Sequence, residues 1–132
     1  MEKLMAINDY FTGIQHVGIP TQNLEATIAF YETLGFKKAG LFRNNDSRCA
    51  FMQFNNLVIE TWEGDTINHA GAINHISLNA TDIDKAFAAV KAAGLMLVDQ
   101  EIQSIPTFWE NGIRYFNILG LNQETIEFCQ IL

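Results

Sequence analysis

The chain has 132 residues, 48% hydrophobic and 17% charged, which suits one folded domain with a sizeable core and excludes a disordered chain. A net charge of −7 argues against nucleic acid or an anionic membrane as partner and leaves a small molecule as the expected one. No apolar run approaches the ~20 residues of a membrane span. Residues 1–6 lack a secretory leader's apolar stretch, and Cys49 and Cys129 form no CxxC pair, so a reduced, cytoplasmic setting is expected.

Residues 1–12 carry Leu4, Met5, Ile7, Tyr10 and Phe11, too apolar for a free tail. They are expected to form a short arm or helical turn packed on the body or on a partner subunit. From residue 13 the pattern reads strand, helix, strand, strand, strand. Gly13 to Ile19 is the first strand, and Pro20 and Thr21 should break its ladder. Asn23 is placed to cap a helix whose buried stripe is Leu24, Ile28, Tyr31 and Leu34, and Gly35 ends it. Phe36 to Leu41, Ser47 to Phe54 and Leu57 to Trp62 read as strands, parted by the turns Arg43 to Asp46 and Asn55-Asn56.

A linker, 64–71, leads to a second copy of the same order over 72–132, the first copy being 13–63. Ile73 to Asn79 repeats the first strand. Thr81 and Asp84 suggest a capping box, and Ile83, Ala86, Phe87 and Val90 a helical stripe ended by Gly94. Leu95 to Val98, Ile113 to Ile118 and Glu124 to Ile131 read as strands, with Asn111-Gly112 as a turn. One offset carries His16 to His75, Leu24 to Ile83 and Gly35 to Gly94, the signature of an internal repeat. At the far end Glu60 falls on Glu127, with an offset longer by eight residues. The extra residues are expected within Gln100 to Asn111, where Pro106, Phe108 and Trp109 show no periodicity. Such an insertion suits a lid or pocket wall.

Strand parity sets the chemistry. Val17 and Ile19 point to one face, His16 and Gly18 to the other; Ile76 and Leu78 likewise oppose His75 and Ser77. Glu60 and Glu127 alternate with Ile59 and Ile126 in the last strand of each copy. Each copy therefore offers a histidine and a glutamate on the face away from its helix. A carboxylate there is costly unless paired or bound to a cation. If a pseudo-twofold joins the copies, His16, Glu60, His75 and Glu127 make a set suited to a divalent transition metal such as Zn, Ni, Fe, Mn or Co. His69, in the linker, has no repeat partner and reads as a surface residue.

His16-Val17-Gly18-Ile19, Asn23 to Tyr31 with Leu34-Gly35-Phe36, Asn74 to Leu78 and Gly120 to Phe128 together resemble the vicinal oxygen chelate superfamily, the glyoxalase and bleomycin-resistance group. The resemblance covers roughly residues 13–131 and implies an α+β fold. Two tandem βαβββ modules would form a curved, cleft-enclosing mixed sheet with the helices outside. In glyoxalase I-like members the metal ligands are His, Glu, His, Glu, matched here by His16, Glu60, His75 and Glu127. The implied function is a metal-dependent lyase or isomerase that stabilises an enediolate, with Glu127 or Glu60 moving the proton. Extradiol dioxygenases would need only His16, His75 and Glu127, on iron. A resistance-type binding protein is the non-enzymatic alternative. Members work within one chain or across two, and a homodimer is expected here.

Two departures bear on substrate. The arginine that glutathione-using members carry after the first histidine is replaced by the Pro20 region, and their asparagine after the first glutamate by Thr61-Trp62-Glu63-Gly64. Arg48 and Arg114 are the remaining candidates to hold an anionic group, and Trp62 and Trp109 to line a pocket.

Overall fold

The computed structural model describes residues 6–10 and 12–132. Among them, nine strands and two helices run in the order β1 (Val17–Thr21), α1 (Leu24–Thr33), β2 (Lys37–Asn44), β3 (Ser47–Phe54), β4 (Leu57–Glu63), β5 (Ile76–Asn79), α2 (Ile83–Ala92), β6 (Met96–Leu97), β7 (Gln103–Ile105), β8 (Ile113–Leu119) and β9 (Thr125–Ile131). The strands form two mixed sheets of like order, β1-β4-β3-β2 and β5-β9-β8-β6, with β7 also paired to β8. The fold is α+β and repeats βαβββ, as the sequence pattern implies.

Each sheet places its first strand at an edge, parallel to its last. Gly18 lies opposite Glu60, and Ser77 opposite Glu127. The helices cover one face of each sheet, and that face supplies one continuous core: Leu24, Tyr31, Phe36, Met52 and Ile59 pack with Ile83, Phe116, Ile118 and Ile126. Among the described residues, neither α1 nor α2 covers the opposite face.

Both helices start and stop on local chemistry. Asn23 caps α1, its Oδ1 accepting the Ala26 N–H at 3.1 Å. The cap of α2 is Asp82, one residue beyond the expected Thr81 box. Asp82 accepts from Lys85 N–H, while the Asp84 carboxylate is taken by Arg114. Gly35 and Gly94 end the helices at φ +97° and +73°.

Four further expectations change. Pro20 and Thr21 continue β1, because an edge strand has a side that needs no N–H partner. His16 and His75 stand one residue ahead of β1 and β5. The insertion is not wholly irregular: β7 lies within it and continues along β8 the edge strand that β6 begins, the two pieces pairing with Tyr115–Ile113 and with Leu119–Ile118. Between them the chain loops out, and the Asp99 carboxylate accepts the Asn117 N–H at 2.7 Å in place of a backbone carbonyl. Lastly, Ile7–Asp9 does form a helical turn, but Ile7 is 82% exposed and Tyr10 71%, so it does not pack on its own chain. Leu4, Met5 and Phe11 lie outside the described residues.

The seam between the two halves is polar and specific. Tyr31 Oη donates to Glu124 Oε2 at 2.8 Å, and Asn122 Nδ2 donates to Thr27 Oγ1 at 3.1 Å. Thr27 in turn meets Thr21 Oγ1 at 2.9 Å. The β8–β9 turn of the second half is thus tied to the first helix and first strand.

Candidate metal centre

The parallel pairing of first and last strands brings histidine to glutamate in each half. His16 Nε2 lies 3.7 Å from Glu60 Oε2, and His75 Nε2 lies 4.0 Å from Glu127 Oε1. Both separations are too long for a good hydrogen bond. Two ligands each about 2.1 Å from one tetrahedral ion stand about 3.4 Å apart, so the pairs fit a shared cation better than direct contact. Within one chain the four residues remain two pairs. Among the described residues, no three His, Cys, Asp or Glu side chains come together as a metal site. Each half keeps its own His–Glu pair, and the pseudo-twofold of the repeat does not by itself gather all four within the described chain.

Both histidines are oriented in the same way. His16 Nδ1 meets Gln15 Oε1 at 2.9 Å, and His75 Nδ1 meets Asn74 Oδ1 at 2.9 Å. With an amide oxygen as partner, Nδ1 is the donor, which leaves Nε2 as the ring atom that faces the glutamate. Such outer partners commonly orient metal-binding imidazoles. Gln15 and Asn74 were missed in the sequence reading, although the repeat offset that links the histidines links them too. Ser77 Oγ also donates to Glu127 at 2.7 Å. Its counterpart, Gly18, leaves Glu60 without that bond.

The remaining candidates divide by face. Arg48 points to the helix side, paired with Glu25 of α1 and at 2.8 Å with Glu63. Its guanidinium holds both carboxyls below the usual range. Arg114 makes a two-pronged contact with Asp84 of α2 at 2.8 and 2.9 Å, lowering that carboxyl as well. Both arginines are therefore turned away from the His–Glu face, which corrects their reading as substrate contacts. Trp62 shares that face with Glu60, and the two line a recess of about 330 Å³ with Phe42, Cys49 and Ser47. Trp109 is 73% exposed on the β7–β8 loop, beyond the end of β8 remote from Asn117, the residue opposite Glu127. His69 is exposed, its Nδ1 against the Ala70 carbonyl.

Comparison with known proteins agrees with this architecture. Residues 15–123 match the family model for the glyoxalase/bleomycin resistance protein/dioxygenase superfamily. An uncharacterized protein of Bacillus subtilis (strain 168), YwbC, is 32% identical over 125 residues, covering 89% of this chain and 96% of that one. A glyoxalase family protein from Enterococcus faecalis superposes with a TM-score of 0.76 at 17% identity, over 91% of this chain and 98% of its own. The fosfomycin resistance protein FosX from Listeria monocytogenes, in complex with Mn(II) and sulfate, superposes with a TM-score of 0.72 at 17% identity, over 92% and 94%. The chain belongs to the glyoxalase/bleomycin resistance protein/dioxygenase superfamily, the vicinal oxygen chelate group. No helix among the described residues is long and apolar enough to cross a membrane.

Proposed function

We propose that this protein is a divalent-metal-dependent enzyme acting on a small substrate with two adjacent oxygens, of the lyase or isomerase kind. The ion would be held by His16 and Glu60 of one copy and His75 and Glu127 of a second. The observation that carries the reading is the pair of matched His–Glu couples, each with Nε2 presented and Nδ1 occupied. Two ligands are too few for a structural or catalytic ion, whereas an isologous dimer brings unlike couples together twice. Apolar residues flank both couples: Ile14 is 78% exposed and Ile73, its repeat equivalent, 76%. The FosX structure with Mn(II) supports a divalent ion in this fold.

A bound divalent ion would supply Lewis-acid polarisation of the substrate oxygens. The chain's residues supply the rest. Glu127, fixed by Ser77, serves best as a stationary ligand. Glu60, without that tether, is the better group to take and return a proton on the carbon beside a carbonyl. Elemental analysis and calorimetric titration with Mn(II), Zn(II), Ni(II), Co(II) and Fe(II) test the reading. One ion per chain is expected, lost in His16→Ala and in Glu127→Gln. A folded protein that takes up none of these metals overturns it.

A further inference from the structure

The repeat keeps its ligands but not the walls around them. Strand register pairs each wall position of one half with its counterpart in the other. Beside Glu60 stand Phe51 and, two residues along its strand, Trp62; beside Glu127 stand Asn117 and Cys129. Opposite Trp62 is Cys49 and then Phe42; opposite Cys129 is Tyr115 and then Gln103. Three of these four wall positions carry aromatic rings in the first half, whereas the second has one, Tyr115, beside two amides and a thiol.

The aromatic wall is built as a unit. Phe51 meets the His16 ring edge-on at 5.8 Å, and Phe42 meets Phe51 at 6.0 Å. Glycines give the rings their places: a Cβ at Gly18 would come within 3.0 Å of the Trp62 indole, and one at Gly40 within 2.5 Å of the Phe42 ring. Trp62 lies between Gly18 and Gly64, spread along the open face. Phe42 remains 62% exposed, a large aromatic surface at the open face. Arg43, Asn44 and Ser47 stand at the recess, while Arg48 is engaged behind the sheet.

We propose that this recess is an aromatic subsite, which takes a flat, uncharged ring on the substrate whose paired oxygens reach the His–Glu ligands. Phe42 and Trp62 set specificity by packing on that ring. The inference rests on the metal-site reading above and assigns its substrate class.

Two chelators with the same pair of oxygens separate the issues: benzohydroxamate carries a phenyl group where acetohydroxamate carries a methyl. Each is titrated calorimetrically into the Mn(II)-loaded protein. The phenyl compound is expected to bind about tenfold tighter. In Phe42→Ala, whose exposed site spares the core, that ratio should fall several-fold while acetohydroxamate affinity holds. In a Trp109→Phe background the Trp62 emission should respond to benzohydroxamate alone. Equal affinities in the wild type, or a ratio unmoved by both Phe42→Ala and Trp62→Leu, overturn the aromatic subsite and leave the metal site standing. Absence of Mn(II) uptake overturns both.

Discussion

Gln15 and Asn74 give the imidazoles their direction, and a consequence can be measured residue by residue. Each holds Nδ1 with a side-chain oxygen at 2.9 Å, so the ring cannot rotate without breaking that bond. Replacing Gln15 or Asn74 by Leu should keep the fold, since both are exposed, and weaken metal binding about ten- to hundredfold. Calorimetric titration with Mn(II) reads the effect. An affinity unchanged in both variants would mean the rings are oriented by something else. The His–Glu couples themselves were legible in the sequence because the repeat writes them twice. The arginines were misread for a different reason. Parity places Arg48 with Ala50 and Met52, on the helix side, and Arg114 with Phe116 and Ile118. Their partners Glu25 and Asp84 lie on helices distant in sequence, and no local pattern announces a pair formed across layers.

At the scale of elements, the βαβββ order was readable because caps, glycines and turns punctuate it, but the second piece of the broken edge strand, β7, was not. β6 and β7 are two and three residues long; β6 falls within the strand expected over Leu95 to Val98, whereas β7 is too short to display a period of two. Their pairing depends on β8 and on Asp99, a side chain standing in for backbone. The cap of α2 shows the same dependence: Thr81 and Asp82 look alike as caps, and Arg114 decides by drawing Asp84 away. Asp82→Ala should therefore cost about 1 kcal/mol of stability, read by urea unfolding, whereas Thr81→Ala should leave α2 capped. The seam makes a second element-scale expectation. Tyr31 is buried beside Glu124, and burial together with that carboxylate raises its phenol well above the ordinary value. A raised value stabilises the fold below the unfolded value, about 10, and the contribution is lost as pH rises past it. Stability should fall above about pH 10, and Tyr31→Phe should flatten that fall while costing about 1 kcal/mol at neutral pH through the lost hydrogen bond.

For the whole molecule, the helix-free face is the feature that asks for a partner. It holds both His–Glu couples and the exposed rings and aliphatics around them, and a second copy would cover it by symmetry. A shared centre makes a demand that a centre within one chain does not. His16→Ala damages the first couple of a chain, and His75→Ala the second; each homodimer then has two defective centres. In a mixed dimer both defects fall in one centre, and the other is assembled from the intact couples of the two chains. Statistical exchange of equal amounts should therefore restore about a quarter of the wild-type metal content, since half the dimers are mixed and each has one good centre of two. The measurement is metal bound per chain after the two variants are unfolded together, refolded and desalted, compared with each variant treated alone. Recovery near a quarter requires the couples of different chains to meet; metal content no higher than in the separate variants would place each couple's missing ligands within its own chain.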